Sequence, residues 1–157
     1  EAVRAQSLSP AGDWLAYPTG LPSLFGLSSQ VYLLHLAQPG QPTPFRFGSG
    51  QGLASLAWSL DLERPALALL VGPIVAAGAI QPTRLLWVDP SQPEAYVDVA
   101  QAGEDEQFAN PVFCRNGDLL YVARKAGRYE LRRQSPGHPA RTLLSLERSF
   151  YPVACDN

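Results

Sequence analysis

The sequence predicts an all-β chain made of repeated four-stranded antiparallel units, and three observations carry the prediction. Fifteen prolines and thirteen glycines fall between short apolar runs, a density of turn residues that argues against long helices. The runs themselves are rich in Val, Leu, Tyr, Phe and Trp and are bounded by Pro, Gly, Asn and Asp, as strands are. Finally, one short phrase recurs along the chain.

That phrase is "SLSPAGD" at 7–13, "AWSLDLE" at 57–63, "VFCRNGD" at 112–118 and "VACDN" at 153–157. Its anchors, Ser9, Ser59, Cys114 and Cys155, are spaced 50, 55 and 41 residues apart, near the length of a propeller blade. Behind each of the first three copies come further β-prone runs in the same order. The second strand of a unit is expected at Trp14 to Tyr17, Ala66 to Val71 and Leu119 to Ala123. The third is expected at Val31 to Leu36, Leu85 to Val88 and Tyr129 to Arg133, and the fourth at Phe45 to Phe47, Tyr96 to Val99 and Thr142 to Leu144. With the phrase itself as the first strand, each unit has four.

The turn after the first strand has its own chemistry. "SPAGD" places Pro10 where φ is preset and Gly12 where positive φ is tolerated, and "CRNGD" offers the hairpin pair Asn116-Gly117. The second copy, "SLDLERP", lacks the glycine, so a longer or irregular turn is expected there.

"SPAGDWLAY" followed by "QVYLLHL", and "CRNGDLLYV" followed by "RYELRRQ", resemble the WD40-like repeat of TolB-type β-propellers and of the propeller domains of prolyl oligopeptidase-like enzymes. The resemblance covers most of the chain and departs from the repeat at Ala11, Cys114 and Asn116; the second copy keeps only Trp58-Ser59. It implies a partial β-propeller in a single domain over 1–157, with blades at about 1–48, 52–100 and 108–146 and the start of a fourth at about 150–157. It also implies a bacterial periplasmic or extracytoplasmic setting.

Closed propellers typically have about 4–8 blades, so three and a fraction do not close a ring. The chain is therefore expected to be a fragment of a longer propeller, as the absence of methionine even at position 1 suggests. The alternatives are a second copy that completes the ring, or a strand supplied from elsewhere. A removed export signal is neither supported nor excluded.

Strands a, b, c and d of a blade alternate in direction, which puts the b–c and d–a loops on one face and the a–b and c–d loops on the other. The b–c loops "TGLPSLFGLSS" and "GPIVAAGAIQPT" are apolar, and "GEDEQ" between blades two and three adds charge on the same face. The apolar residues either fold back over the blade edge as local core or form a partner surface rimmed by charge. The second alternative gives the candidate partner-binding residues Leu24, Phe25, Leu27, Ile74, Val75, Ile80, Glu104, Asp105 and Glu106. The acidic run itself is expected to be a solvated loop rather than a cation site, and "GSGQG" at 48–52 a flexible connection.

Composition excludes several classes. Twelve basic residues against fourteen acidic ones, with Lys125 the sole lysine, leave no electrostatic footprint for nucleic acid or anionic membrane. The stretch Ala66 to Ile80 is too short and too interrupted by Gly72, Pro73 and Gly78 to span a bilayer. Neither His35 nor His138 has Cys or acidic residues at ligand spacing, so no metal is expected, and no phosphate loop or dinucleotide fingerprint implies a cofactor. A Gly-x-Ser-x-Gly elbow is missing, so no catalytic residue is assigned. Cys114 and Cys155 could pair, but equivalent inner-strand positions of neighbouring blades lie farther apart than the about 4.4–6.8 Å of a bridge, so buried free thiols are expected. The aromatic residues Trp14, Trp58, Trp87, Tyr17, Tyr32, Phe113, Tyr121 and Tyr129 are expected mostly between blades. Arg124, Lys125, Arg128, Arg132 and Arg133 form a basic corner that strand alternation explains.

These readings give a first expectation of a noncatalytic propeller scaffold that binds another protein, or a second copy, through one loop face. The alternative is the gating propeller of a prolyl oligopeptidase-like hydrolase whose catalytic domain lies outside this chain. A weaker alternative is a propeller lyase or carbohydrate-binding protein using the central channel, for which Val3, Leu56, Val112 and Val153 offer little.

Overall fold

A computed structural model describes residues 7–18, 30–38, 40–135 and 137–150. They form three four-stranded antiparallel sheets, each a meander in chain order, which is the architecture of propeller blades. Blade one holds β1 (Ser7–Leu8), β2 (Trp14–Pro18), β3 (Gln30–His35) and β4 (Thr43–Arg46). Blade two holds β5 (Gln51–Trp58), β6 (Leu67–Pro73), β7 (Arg84–Val88) and β8 (Val97–Gln101). Blade three holds β9 (Glu106–Phe113), β10 (Leu119–Lys125), β11 (Arg128–Gln134) and β12 (Arg141–Leu146).

The recurring small residue is the hinge of each a–b turn. The Ser9 N–H donates to Trp14 O at 2.9 Å, and its Oγ accepts the Trp14 N–H at 3.0 Å. Ser59 repeats both bonds with Ala66, at 2.8 and 2.7 Å, although its turn is longer for want of a glycine. At the third copy the Cys114 N–H donates to Asp118 O at 2.8 Å, and Gly117 takes the positive φ of 85° that closes the short turn. A serine fits here because its hydroxyl satisfies the first amide of the next strand, which the turn would otherwise leave unpaired.

Cys114 is disulfide-bonded, which corrects the expectation of free thiols. The other cysteine of the chain, Cys155, lies outside the described residues. The expectation failed because Cys114 stands one residue past the end of β9, in the turn. The separation behind the expectation was one between inner-strand positions, and Cys114 does not occupy one.

Two strands begin inside segments taken from the sequence as connections. Gln51 and Gly52 of "GSGQG" belong to β5, after a tight turn in which Gly48 and Gly50 have φ of 91° and 71°. Glu106 and Gln107 of "GEDEQ" open β9. Both inner strands are bulged against their neighbours, β5 between Leu53 and Ser55 and β9 opposite Leu120 and Val122. In β9 the irregularity falls at Asn110, whose φ is 51°, and Pro111, which has no N–H to give the ladder.

Blade two is the middle layer. Leu67, Leu69 and Val71 of β6 join Ala16, Val31, Leu33, Phe45 and Phe47 of blade one in one core. The alternate residues Ala68 and Leu70 join Phe108, Phe113, Leu119 and Tyr121 of blade three in the other, where small alanines receive large rings. Burial on both faces makes β6 an almost unbroken apolar run, and each leucine so placed contributes about 1.5–3 kcal/mol. Trp58, Phe113 and Tyr121 are accordingly interblade residues, while Tyr17 stacks on Tyr32 at 5.6 Å within blade one. No helix among the described residues is long and apolar enough to cross a membrane.

Candidate binding faces

The chain connectivity places the b–c and d–a loops at one end of the blades. Leu24, Phe25 and Leu27 lie outside the described residues. In blade two the b–c loop continues the hairpin through an Ile74–Ile80 bridge and a 3-10 turn at Ala76–Gly78. It folds back on the sheet: an added Cβ at Gly52 would meet Ile80 Cδ1 at 2.9 Å, and one at Gly72 would meet the Gln81 carbonyl oxygen at 1.8 Å. Ile74 and Ile80 are therefore half-buried edge core, and Val75, 42% exposed, is the projecting apolar residue of the loop.

The acidic run divides in the same way. Glu104 and Asp105 are exposed, whereas Glu106 is 7% exposed and held inside blade three. Its Oε1 accepts from Arg132 Nη2 at 2.6 Å, and its Oε2 accepts the Gly103 N–H at 3.1 Å. Arg132 also donates to Glu130, and Arg133 donates to Asp118 at 2.5 Å. Two members of the basic corner are thus neutralised by buried or half-buried carboxylates. Burial works against the charge of the Arg132 guanidinium, but the hydrogen bonds it donates to Glu130 and Glu106 outweigh it and hold the pKa above its ordinary value. Burial likewise pushes the Asp118 carboxyl up, but donation from Asn116, Ser135 and Arg133 outweighs it and leaves the pKa below 3.8.

The opposite end, made by the a–b and c–d turns, carries two clefts. A cleft of about 920 Å³ runs across all three blades, with Trp14, Trp87 and Phe113 among its walls and Asp13, Asp61, Glu63 and Asp89 around it. His35 stands edge-on to Trp14 at 4.7 Å and accepts the Gln38 N–H on Nδ1, which places its proton on Nε2. A second cleft of about 510 Å³ lies between blades two and three and is lined by Val97, Val99 and Leu119, with Asp98 and His138 also at its border. The two share Trp87 and Gly117. Gln134 ties the second cleft together, donating to Val99 O of blade two at 2.6 Å.

These residues escape sequence reasoning because their chemistry is assembled from three turns far apart in the chain. The one signal was "SLDLERP", the copy that breaks the repeat: its long turn exposes Leu60 and Leu62 at 51% and 60% and sets Asp61 and Glu63 beside the cleft. Asp61 accepts the Arg64 and Glu63 N–H groups, which lower its pKa from 3.8. No group of three or more metal-ligating side chains occurs among the described residues.

No protein-family model matches the chain, and no curated protein matches it. A solved structure from work on two prolyl endopeptidases, concerned with inter-domain dynamics in catalysis and specificity, is similar in fold. It is 19% identical, gives a TM-score of 0.59, and the match covers 88% of this chain and 19% of that one. The likeness is one of fold alone, and the chain spans about a fifth of that protein's length.

Proposed function

We propose that the chain is a noncatalytic propeller module, related to the TolB-type WD40-like repeat, that binds another protein through one loop face. The observation that carries this is the pair of clefts at the a–b and c–d end, held on turns that two interblade cores fix in place. The face favoured is thus the one opposite the apolar b–c loops. The disulfide at Cys114 supports an oxidising, extracytoplasmic compartment. A second reading, the propeller portion of a prolyl oligopeptidase-like hydrolase, is favoured by the fold likeness to a prolyl endopeptidase.

Incubating the 157-residue chain with a randomised peptide pool and with a fluorogenic proline-containing peptide tests the first reading. Retention of a subset of peptides without cleavage is expected. Cleavage by the purified chain, or retention of no peptide, would overturn it.

A further inference from the structure

We infer that the paired clefts at the a–b and c–d end take an extended peptide segment in which a basic residue stands next to an apolar one. This rests on reading the chain as a protein-binding module. The larger cleft has the complementary charge: Asp13, Asp61, Glu63 and Asp89 face only Arg64 as a cation among its lining residues. No arginine or lysine forms an ion pair with these four among the described residues, whereas Asp98, Glu106, Asp118 and Glu130 are all paired with arginines. Asp13, Asp61 and Asp89 each spend Oδ1 on a local turn bond and leave the other oxygen without a partner in the described chain.

The walls suit the rest of such a ligand. The indole N–H groups of Trp14 and Trp87 donate to nothing among the described residues and can serve backbone carbonyls, while the Trp87 ring, in the wall both clefts share, suits a guanidinium. In the second cleft Val97, 54% exposed, and Val99 and Leu119 form an apolar hollow. Successive side chains of an extended segment point to opposite sides. A segment laid over the shared wall at Trp87 and Gly117 therefore sends one residue into the acidic cleft and its neighbour into the apolar one.

The test is tryptophan fluorescence titration of the chain with blocked peptides containing Arg-Leu, Glu-Leu or Arg-Gly between glycines. Arg-Leu is expected to bind, to weaken as salt rises, and to exceed both others by about tenfold. Asp61→Asn, Glu63→Gln and Asp89→Asn together keep the turn acceptors, since an amide oxygen still takes the backbone N–H, and are expected to cost Arg-Leu about tenfold. Val97→Asp, at an exposed site that does not endanger folding, is expected to remove the preference for leucine over glycine. Equal affinity for Glu-Leu, or Arg-Leu affinity unchanged in the triple variant, would overturn the inference while leaving the binding module intact. Failure of every peptide, those of the randomised pool included, would overturn both.

Discussion

Arg132 and Glu106 are joined at 2.6 Å although 26 residues separate them, linking the third strand of blade three to the first residue of its inner strand. Glu106 is the more deeply buried partner. Arg132→Met should therefore destabilise the chain by about 3 kcal/mol, because it leaves a buried carboxylate with the Gly103 amide as its remaining donor. Adding Glu106→Gln should restore part of the loss. Urea unfolding measures both, and equal stability of the single and double variants would count against a buried ion pair.

Asp118 makes stability depend on acid pH. Its folded pKa lies below the 3.8 of the free side chain, so the unfolded chain takes up the proton first. The stabilisation is fully present above the unfolded value of 3.8 and is lost as pH falls below it through the lower folded one. Asp118→Asn should be less stable than the parent at neutral pH and should lose less on acidification. An acid limb as steep as the parent's would show that other carboxylates carry it.

Gly72 and Gly52 lie in adjacent strands of blade two but should respond differently to an added methyl. At Gly72 the new Cβ would fall 1.8 Å from the Gln81 carbonyl oxygen, so backbone must move, at a cost of about 3 kcal/mol or more. At Gly52 the nearest atom is Ile80 Cδ1 at 2.9 Å, the end of a side chain that can turn aside, and about 1 kcal/mol is expected. Thermal melts of Gly72→Ala and Gly52→Ala decide this, and the reverse order would mean that the b–c loop does not fold back on the sheet.

The disulfide at Cys114 has a chemical signature. The denatured, unreduced monomer should show no reactive thiol to a maleimide, and reduction should release both cysteines of the chain. Thiol labelling without reductant would contradict the pairing.

The blades were legible because turn chemistry and strand alternation are local. Ser9, Ser59 and Cys114 mark the a–b turns, and the alternating sides of β6 follow from period two alone. The starts of β5 and β9 were not legible, since Gly50, Gln51 and Glu104 to Glu106 have turn-like composition, and only pairing with β6 and β10 draws Gln51 and Glu106 into strands. Glu106 looked like a surface acid because its partner, Arg132, is distant in the chain. The clefts escaped for the same reason: Asp61, Trp87 and Gly117 meet only when the three blades stack.

A residue-by-residue footprint of a bound peptide, by amide chemical-shift mapping on the whole chain, tests the central claim most directly. The predicted result is perturbation at 59–66, 87–91 and 114–119, around Trp87, with 74–80 unchanged. Perturbation centred on Val75 and on Glu104 and Asp105, with the turns at Ser59 and Cys114 silent, would contradict the account.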